Sequence, residues 1–122
     1  MSATIFAPAT PPGRSGVAVI RVSGENAFES LKNLTGKSFR PRQATLSTLR
    51  AGPEIIDRAL ILTFEAPASF TGEHIVEYHV HGGRAVIDAL LNALSSQKNH
   101  RFAEAGEFTR RAFDNGKIDL TE

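Results

Sequence analysis

Two residues of opposite charge stand in segments that otherwise have the pattern of buried strands. Arg21 lies inside the apolar run VAVIRV (17–22), and Glu77 lies inside the alternating run HIVEYHVH (74–81). A guanidinium or carboxylate removed from water is costly unless it meets an opposite charge or hydrogen-bond partners. Two interpretations are open. The two side chains pair across neighbouring strands, or Arg21 holds an anionic group of a ligand while Glu77 accepts N–H donors of a flat heterocycle.

A metal site is the next chemistry to weigh on the same segment. Glu77, His79 and His81 share one face of the predicted strand, because alternate side chains point the same way. Two imidazoles and a carboxylate are an adequate ligand set. Short H-x-H pairs are common, however, and nothing nearby supplies further support, so we predict no metal site. No nucleophile elbow is present either, and we assign no catalytic residue.

Two glycine-containing motifs raise the question of phosphate binding. Gly36-Lys37-Ser38 resembles the end of a P-loop, but the required earlier glycine is replaced by Leu31 and a helical pattern leads in. We therefore predict no nucleotide triphosphate site. Gly82-Gly83 ends a predicted strand and opens a helix, where an anion can bind the helix N-terminus. A plain strand-to-helix turn is the simpler explanation.

The elements that position these residues follow from hydrophobic periodicity and turn signals. The run 17–22 is apolar on both faces except at Arg21, which is typical of a central strand covered on both sides. Ser23 is predicted to cap the first helix. The predicted strands are 3–7, 17–22, 43–50, 55–65 and 74–81, with a hairpin turn at 51–54; the predicted helices run from Ser23 to Gly36, after Gly82-Gly83, and over about 106–114. We expect an α+β (mixed α/β) domain, with a mixed sheet of about five strands and three helices.

Length and composition fit one ordinary domain. The chain has 122 residues, of which 41% are apolar, and its net charge is +1. That length can bury a single core. The absence of cysteine excludes disulfides and thiolate sites. No apolar run approaches the length of a membrane span and no secretory pattern is present, so we expect a cytoplasmic protein without membrane contact.

The small net charge conceals an asymmetry. Residues 1–50 carry seven lysines and arginines against two glutamates, and Lys37 to Arg50 includes four positive charges and no acid. One interpretation is a solvated strand edge, where basic side chains discourage edge pairing. The other is a surface that lies against phosphates.

The final residues suggest where this domain ends. Asp119-Leu120-Thr121-Glu122 has the D-x-x-E spacing of a capping box, which begins a helix. We therefore predict one domain over 1–118, with 119–122 as the start of a further helical domain. A frayed tail is the alternative.

Four blocks together resemble one known family. They are ATPPGRSGVAVIRVSG (9–24), APASFTGEHIVEYHVHGG (66–83), the helix that follows, and GEFTRRAFDNGKIDLTE (106–122). The chain is similar to the N-terminal domain of the TrmE (MnmE) family of tRNA-modification GTPases. The resemblance implies a fold similar to the folate-binding domain of aminomethyltransferases.

The resemblance also implies function. Such a domain forms a homodimer and binds 5-formyltetrahydrofolate or a related tetrahydrofolate for one-carbon supply. The family protein acts on the wobble uridine of tRNA together with an MnmG-type flavoprotein. GTP hydrolysis and the Mg and K sites belong to a G domain outside these 122 residues, so this chain is expected not to hydrolyse GTP.

Three folate contacts are carried over by motif. They are Arg21 from R-[VI]-S-G, Glu77 four positions after F-T-G-E, and Lys117 from N-[GD]-K-[LI]-D-L. A carboxylate suits the adjacent N–H donors of a pterin, and a cation suits the carboxylates of the glutamate tail. The alternative is a structural or RNA-contact dimerisation module without a cofactor, in which Arg21 and Glu77 pair internally.

Overall fold

The structure is a computed structural model that describes residues 2–9 and 16–119. Its strands are β1 (Thr4–Pro8), β2 (Val17–Ser23), β3 (Thr45–Ala51), β4 (Glu54–Phe64), β5 (Ile75–His81) and β6 (His100–Phe102). Its helices are α1 (Ala27–Thr35), α2 (Arg84–Ser95) and α3 (Glu107–Asp114).

The described strands form one mixed sheet in the order β3-β4-β5-β2-β1-β6. Neighbours are antiparallel except β1 and β6, which run parallel. The α+β class, the mixed sheet and the three helices are therefore confirmed. The predicted hairpin is confirmed too, because β3 and β4 pair across a turn in which Gly52 has a φ of 61°.

The sixth strand was not predicted from the sequence. β6 contains only three residues, too few for an alternating pattern to be visible. It is held by parallel pairing with β1 and by contact between the rings of Phe102 and Phe6, whose centroids lie 4.5 Å apart. Pairing with β1, which is distant in sequence, therefore defines β6, and the local sequence pattern does not.

The hydrophobic core lies between one face of the sheet and helices α1 and α2. Alternate side chains of the central strands are buried there, among them Ile20, Ile61 and Tyr78. The helices contribute Leu31 from α1 and Leu90 from α2. The helical spacing of these leucines therefore serves the purpose predicted from the sequence.

The opposite face of the sheet is largely open in the described part of the chain. β2 is central, as predicted, but the prediction that it is covered on both faces is wrong for these residues. Val17 on β2 and Leu60 on β4 are each about half exposed. At one end the loop 66–73 covers this face, since Thr71 and Glu73 reach Ser23.

The predicted helix cap at Ser23 is also wrong. Ser23 ends β2 and is fully buried, with its hydroxyl 2.7 Å from Thr71 Oγ1 and donating to Glu73 Oε1 at 2.7 Å. Helix α1 begins at Ala27, and the backbone N–H of Asn26 before it donates to Thr4 Oγ1 at 2.9 Å. A hydroxyl that suits a helix cap is used here to hold a loop over the sheet.

One sequence prediction falls partly outside the described residues. The proposed helix start at 119–122 extends over 120–122. The boundary at 118 therefore stays a prediction. Across residues 2–9 and 16–119, no helix combines the length and apolar character needed to cross a membrane.

Tyr78 gives a stability prediction. Its side chain is fully buried, burial raises its pKa above the ordinary value, and its hydroxyl has no hydrogen-bond partner among the described residues. Because an unsatisfied buried hydroxyl is unfavourable, Tyr78→Phe should leave the free energy of unfolding unchanged or raise it by about 1 kcal/mol. Urea denaturation measures this.

Tyr78→Leu is the control, because it also removes ring volume and should lower the free energy of unfolding by about 2–4 kcal/mol. A loss above about 1 kcal/mol in Tyr78→Phe would show instead that the hydroxyl is well bonded in solution.

Candidate functional site

Arg21 and Glu77 are directly opposite each other on the paired strands β2 and β5. Arg21 Nε and Nη2 both donate to Glu77 Oε2, at 3.0 and 2.9 Å. Of the two interpretations left open by the sequence, internal pairing is therefore present in this structure. The pair lies on the open face, where the Arg21 side chain is 33% and the Glu77 side chain 15% exposed.

Glu77 retains acceptor capacity beyond this pair. Its second oxygen, Oε1, lies 3.2 Å from His79 Nε2, while both arginine bonds go to Oε2. A carboxylate offers about four lone-pair positions, so further donors can be accepted without breaking the ion pair. Pairing and ligand recognition are therefore compatible at this residue.

A cavity of about 300 Å³ opens beside the pair. Its lining residues are Arg21, Phe64, Phe70, Ile75 and Glu77. Two aromatic rings and an aliphatic side chain thus form the walls, with one cation and one anion facing the same space. Apolar walls with a few convergent polar groups are typical of a site for a small organic ligand.

Lys117 lies apart from this cavity. Its ammonium donates to the carbonyl oxygen of Pro67 at 3.0 Å, and the residue lines a separate cavity with Gly116, Ile118 and Asp119. The structure therefore brings Arg21 and Glu77 together without Lys117. The link is the loop 66–73, which carries both Pro67 and Phe70.

The same loop receives a second contact from the end of α3. Asn115 Nδ2 donates to the carbonyl oxygen of Thr71 at 2.7 Å. On the other side Arg42 Nη1 donates to the carbonyl oxygen of Ala68 at 3.3 Å, and its guanidinium lies 5.5 Å from the Phe64 ring centroid. The loop that presents Phe70 is thus held by residues distant in sequence, which no local pattern reveals.

The histidines of β5 are divided between two carboxylates. His79 faces Glu77, whereas His81 Nδ1 lies 2.8 Å from Asp57 Oδ1, and its backbone N–H donates to Asp57 Oδ2. Burial acts to raise the pKa of Asp57, but the hydrogen bonds from His81 bring it below the ordinary value. Within the described ranges, no group of three histidine, aspartate or glutamate side chains is placed to hold a metal ion.

A network of ion pairs next to the loop 66–73 was not predicted from the sequence. Glu107 accepts from Arg101 Nη1 and Nη2 at 2.8 and 2.6 Å and from Arg111 Nη2 at 3.2 Å. Arg111 also donates a hydrogen bond to Glu73, and Glu73 accepts another from the Ser23 hydroxyl. The i,i+4 spacing of Glu107 and Arg111 was the available signal.

Glu107 gives a prediction on pH dependence. Hydrogen bonds from Arg101 lower the pKa of Glu107 to about 2, against the opposing effect of burial. A lowered pKa means that the stabilisation is present above the unfolded-state value near 4.5 and is lost as the pH falls towards 2. Glu107→Gln should lower the free energy of unfolding by about 1–2 kcal/mol at pH 7.

Urea denaturation at pH 7, 4.5 and 3 measures this effect, and the deficit of Glu107→Gln should shrink at the lowest pH. Asp114→Asn is the control, because the Arg110–Asp114 pair is mostly exposed and should contribute less than about 0.5 kcal/mol. A deficit in Glu107→Gln that stays constant with pH would contradict the assignment.

Fold and cavity together define an α+β domain with an aromatic-walled cavity on the open face of a mixed sheet. The profile of the family described as "GTP-binding protein TrmE N-terminus" matches residues 4–117. The chain belongs to this family, which confirms the resemblance identified from the four sequence blocks.

Full-length relatives agree with this assignment. The chain is 57% identical over 122 residues to the tRNA modification GTPase MnmE of Caulobacter vibrioides, covering 100% of this chain and 27% of the relative. The MnmE of Maricaulis maris is 59% identical over 124 residues, covering 100% and 28%. The mitochondrial tRNA modification GTPase mss1 of Schizosaccharomyces pombe is 50% identical over 123 residues, covering 98% and 25%. The chain thus spans about a quarter of these relatives.

Proposed function

We propose that this chain is a tetrahydrofolate-binding and homodimerisation module of a tRNA-modification GTPase. The observation that carries the proposal is the cavity that the ion pair of Arg21 and Glu77 lines together with Phe64 and Phe70. Family membership supports the tRNA-modification context, because the relatives are named tRNA modification GTPases.

The residues present fit a folate. Glu77 Oε1 can accept the N–H donors of a pterin, Arg21 can hold that carboxylate charged and in place, and Phe64 and Phe70 can pack against a flat ring. The volume of about 300 Å³ is at the lower end for ligand pockets, so it suits one end of the ligand with the remainder outside. When bound, the folate supplies the one-carbon unit.

The open sheet face supports homodimerisation. Val17, Leu46 and Leu60 lie on it and are each about half exposed, although large exposed apolar groups are usually covered in an assembly. A second copy would bury these three side chains symmetrically, as in most homodimers. A stable interface of this kind buries about 1,600 Å² in total.

The whole protein's activity lies beyond this chain. The proposal assigns GTP hydrolysis, with its Mg and K sites, to other parts of a longer cytoplasmic protein. That protein acts on the wobble uridine of tRNA with an MnmG-type flavoprotein. The chain alone is therefore expected to bind folate without hydrolysing GTP.

Isothermal titration with 5-formyltetrahydrofolate tests the first half of the proposal, and sedimentation equilibrium tests the second. We expect saturable binding and a dimer mass. Absence of heat and of competition by other folates would reject folate binding, and a monomer at tens of micromolar would reject dimerisation. GTP hydrolysis by the chain alone would contradict the assignment of this activity to other parts of the protein.

A structural or RNA-contact module without a cofactor is the second candidate. The observation in its favour is that Arg21 and Glu77 satisfy each other in this structure. The same titration separates the two candidates, because this second function requires no folate binding while retaining the dimer.

A further inference from the structure

A larger cavity lies on the opposite side of the sheet from Arg21 and Glu77. It has a volume of about 480 Å³ and is bounded by α1, by residues 37–39 and by β4. Nothing in the proposed folate function uses it. Its volume is within the range of 300–1,000 Å³ that is typical of ligand sites.

The walls of this cavity suit a flat ring. Phe28, Leu31 and Phe39 line it, and the Phe28 ring is fixed by stacking on His74 with centroids 4.2 Å apart. Thr63 lines it as well; its side chain is almost fully buried, and its hydroxyl has no hydrogen-bond partner among the described residues. The cavity thus offers aromatic and aliphatic surface to a ligand.

The exposed side of the cavity has an excess of positive charge. Lys32, Lys37 and Glu29 line it, and Glu29 also accepts a hydrogen bond from Asn26 Nδ2 at 2.9 Å. From Lys37 to Arg50 the chain has four positive charges and no acid. A single carboxylate would need only one or two of these cations, whereas a chain of phosphates accounts for more of them.

The basic segment leads from this cavity towards the folate cavity. Thr63 and Phe64 are consecutive residues of β4, and they line cavities on opposite faces of the sheet. Lys37 lies on the Thr63 side, whereas Arg42 places its guanidinium over Phe64 and its backbone N–H on the carbonyl oxygen of Thr63 at 2.7 Å. Residues 37–42 therefore pass around the end of β4 from one cavity to the other.

We infer that the larger cavity binds one unstacked nucleotide of a single-stranded RNA. The base packs against Phe28 and Phe39, while phosphates lie against Lys32 and Lys37. Lys37, which does not belong to a P-loop, thereby contacts a polynucleotide. The inference rests on the proposed function for the source of the RNA, since a tRNA-modification protein meets one.

The test is fluorescence anisotropy of a labelled seven-residue oligouridylate with the 122-residue chain at several salt concentrations. The double variant Lys32→Ala/Lys37→Ala should weaken binding tenfold or more and reduce the salt slope by about 1.4, for two single-strand phosphate contacts. Phe39→Leu should weaken binding about fivefold or more without changing the slope, because it removes stacking only.

Lys98→Ala is the matched control, because Lys98 is an exposed lysine in the turn before β6. It should leave binding unchanged.

Two results would overturn the inference. One is an equal loss in Lys98→Ala and in the double variant, which would indicate non-specific attraction. The other is full binding by Phe39→Leu together with equal affinity for an RNA duplex. Titration of the same variants with 5-formyltetrahydrofolate should show unchanged affinity, so failure of the nucleotide site and failure of the folate site are distinguishable.

Discussion

Replacing Gly24 by alanine should lower the free energy of unfolding by about 3–5 kcal/mol. Gly24 has a φ of +147°, a conformation that residues with a Cβ rarely adopt, and an added Cβ would lie 2.6 Å from Thr4 Cα. Neither group can move easily, because Thr4 is fully buried in β1 and the Gly24 N–H donates to the carbonyl oxygen of His74 at 2.9 Å. Native domains are stable by only about 5–15 kcal/mol, so this loss is large.

The matched control is Gly36→Ala. Gly36 also has a positive φ, of 74°, but an added Cβ there meets nothing within 4 Å. It should cost about 1 kcal/mol, from backbone strain at the end of α1. Urea denaturation followed by circular dichroism compares the two, with thermal midpoints for any variant too unstable for a full curve. Equal losses would show that contact with Thr4 contributes nothing.

Local sequence patterns predicted the elements whose secondary structure is determined by residues close to them in the chain. The hairpin of β3 and β4 follows from two apolar runs around Gly52, and β5 follows from strict alternation. The same logic failed where a distant partner decides. Ser23 has the chemistry of a helix cap, yet the loop 66–73 places Thr71 and Glu73 on it, and β6 exists because β1 pairs with it.

The candidate site divides in the same way. Arg21 and Glu77 were identified because a charge within a strand needs a partner, and the register of β2 against β5 makes them neighbours. The ring of Phe70 was not identified, because its place at the cavity depends on contacts that Asn115, Lys117 and Arg42 make with its loop. Family resemblance named Lys117, but only the fold shows that its ammonium contacts this loop.

Glu77→Gln should weaken binding of 5-formyltetrahydrofolate at least tenfold. The substitution keeps the size of the side chain but exchanges one acceptor oxygen for an N–H donor and removes the charge. A pterin N–H pair would then face a donor, and hydrogen bonds to a charged group contribute about 1.5–3 kcal/mol. Arg21 would also lose its anionic partner at 2.9 Å. Isothermal titration measures the loss.

Three further variants distinguish a loss of affinity that arises at the cavity from one caused by the change in the overall charge of the protein. Arg21→Ala should weaken binding to a similar degree, because it removes the cation that lines the cavity with Glu77. Glu54→Gln, at the exposed start of β4, makes the same chemical change outside the cavity and should have no effect. Lys117→Ala should have the smaller effect of a residue that holds the loop of Phe70, since its ammonium bonds to Pro67.

Each variant also needs its free energy of unfolding, because breaking the Arg21–Glu77 pair removes a partly buried ion pair from the middle of the sheet. A loss of affinity in a fully folded Glu77→Gln protein assigns the carboxylate to the ligand. Unchanged affinity in both Glu77→Gln and Arg21→Ala would show that the two side chains serve only each other. The alternative function as a structural or RNA-contact module would then account better for the charges at the centre of this sheet.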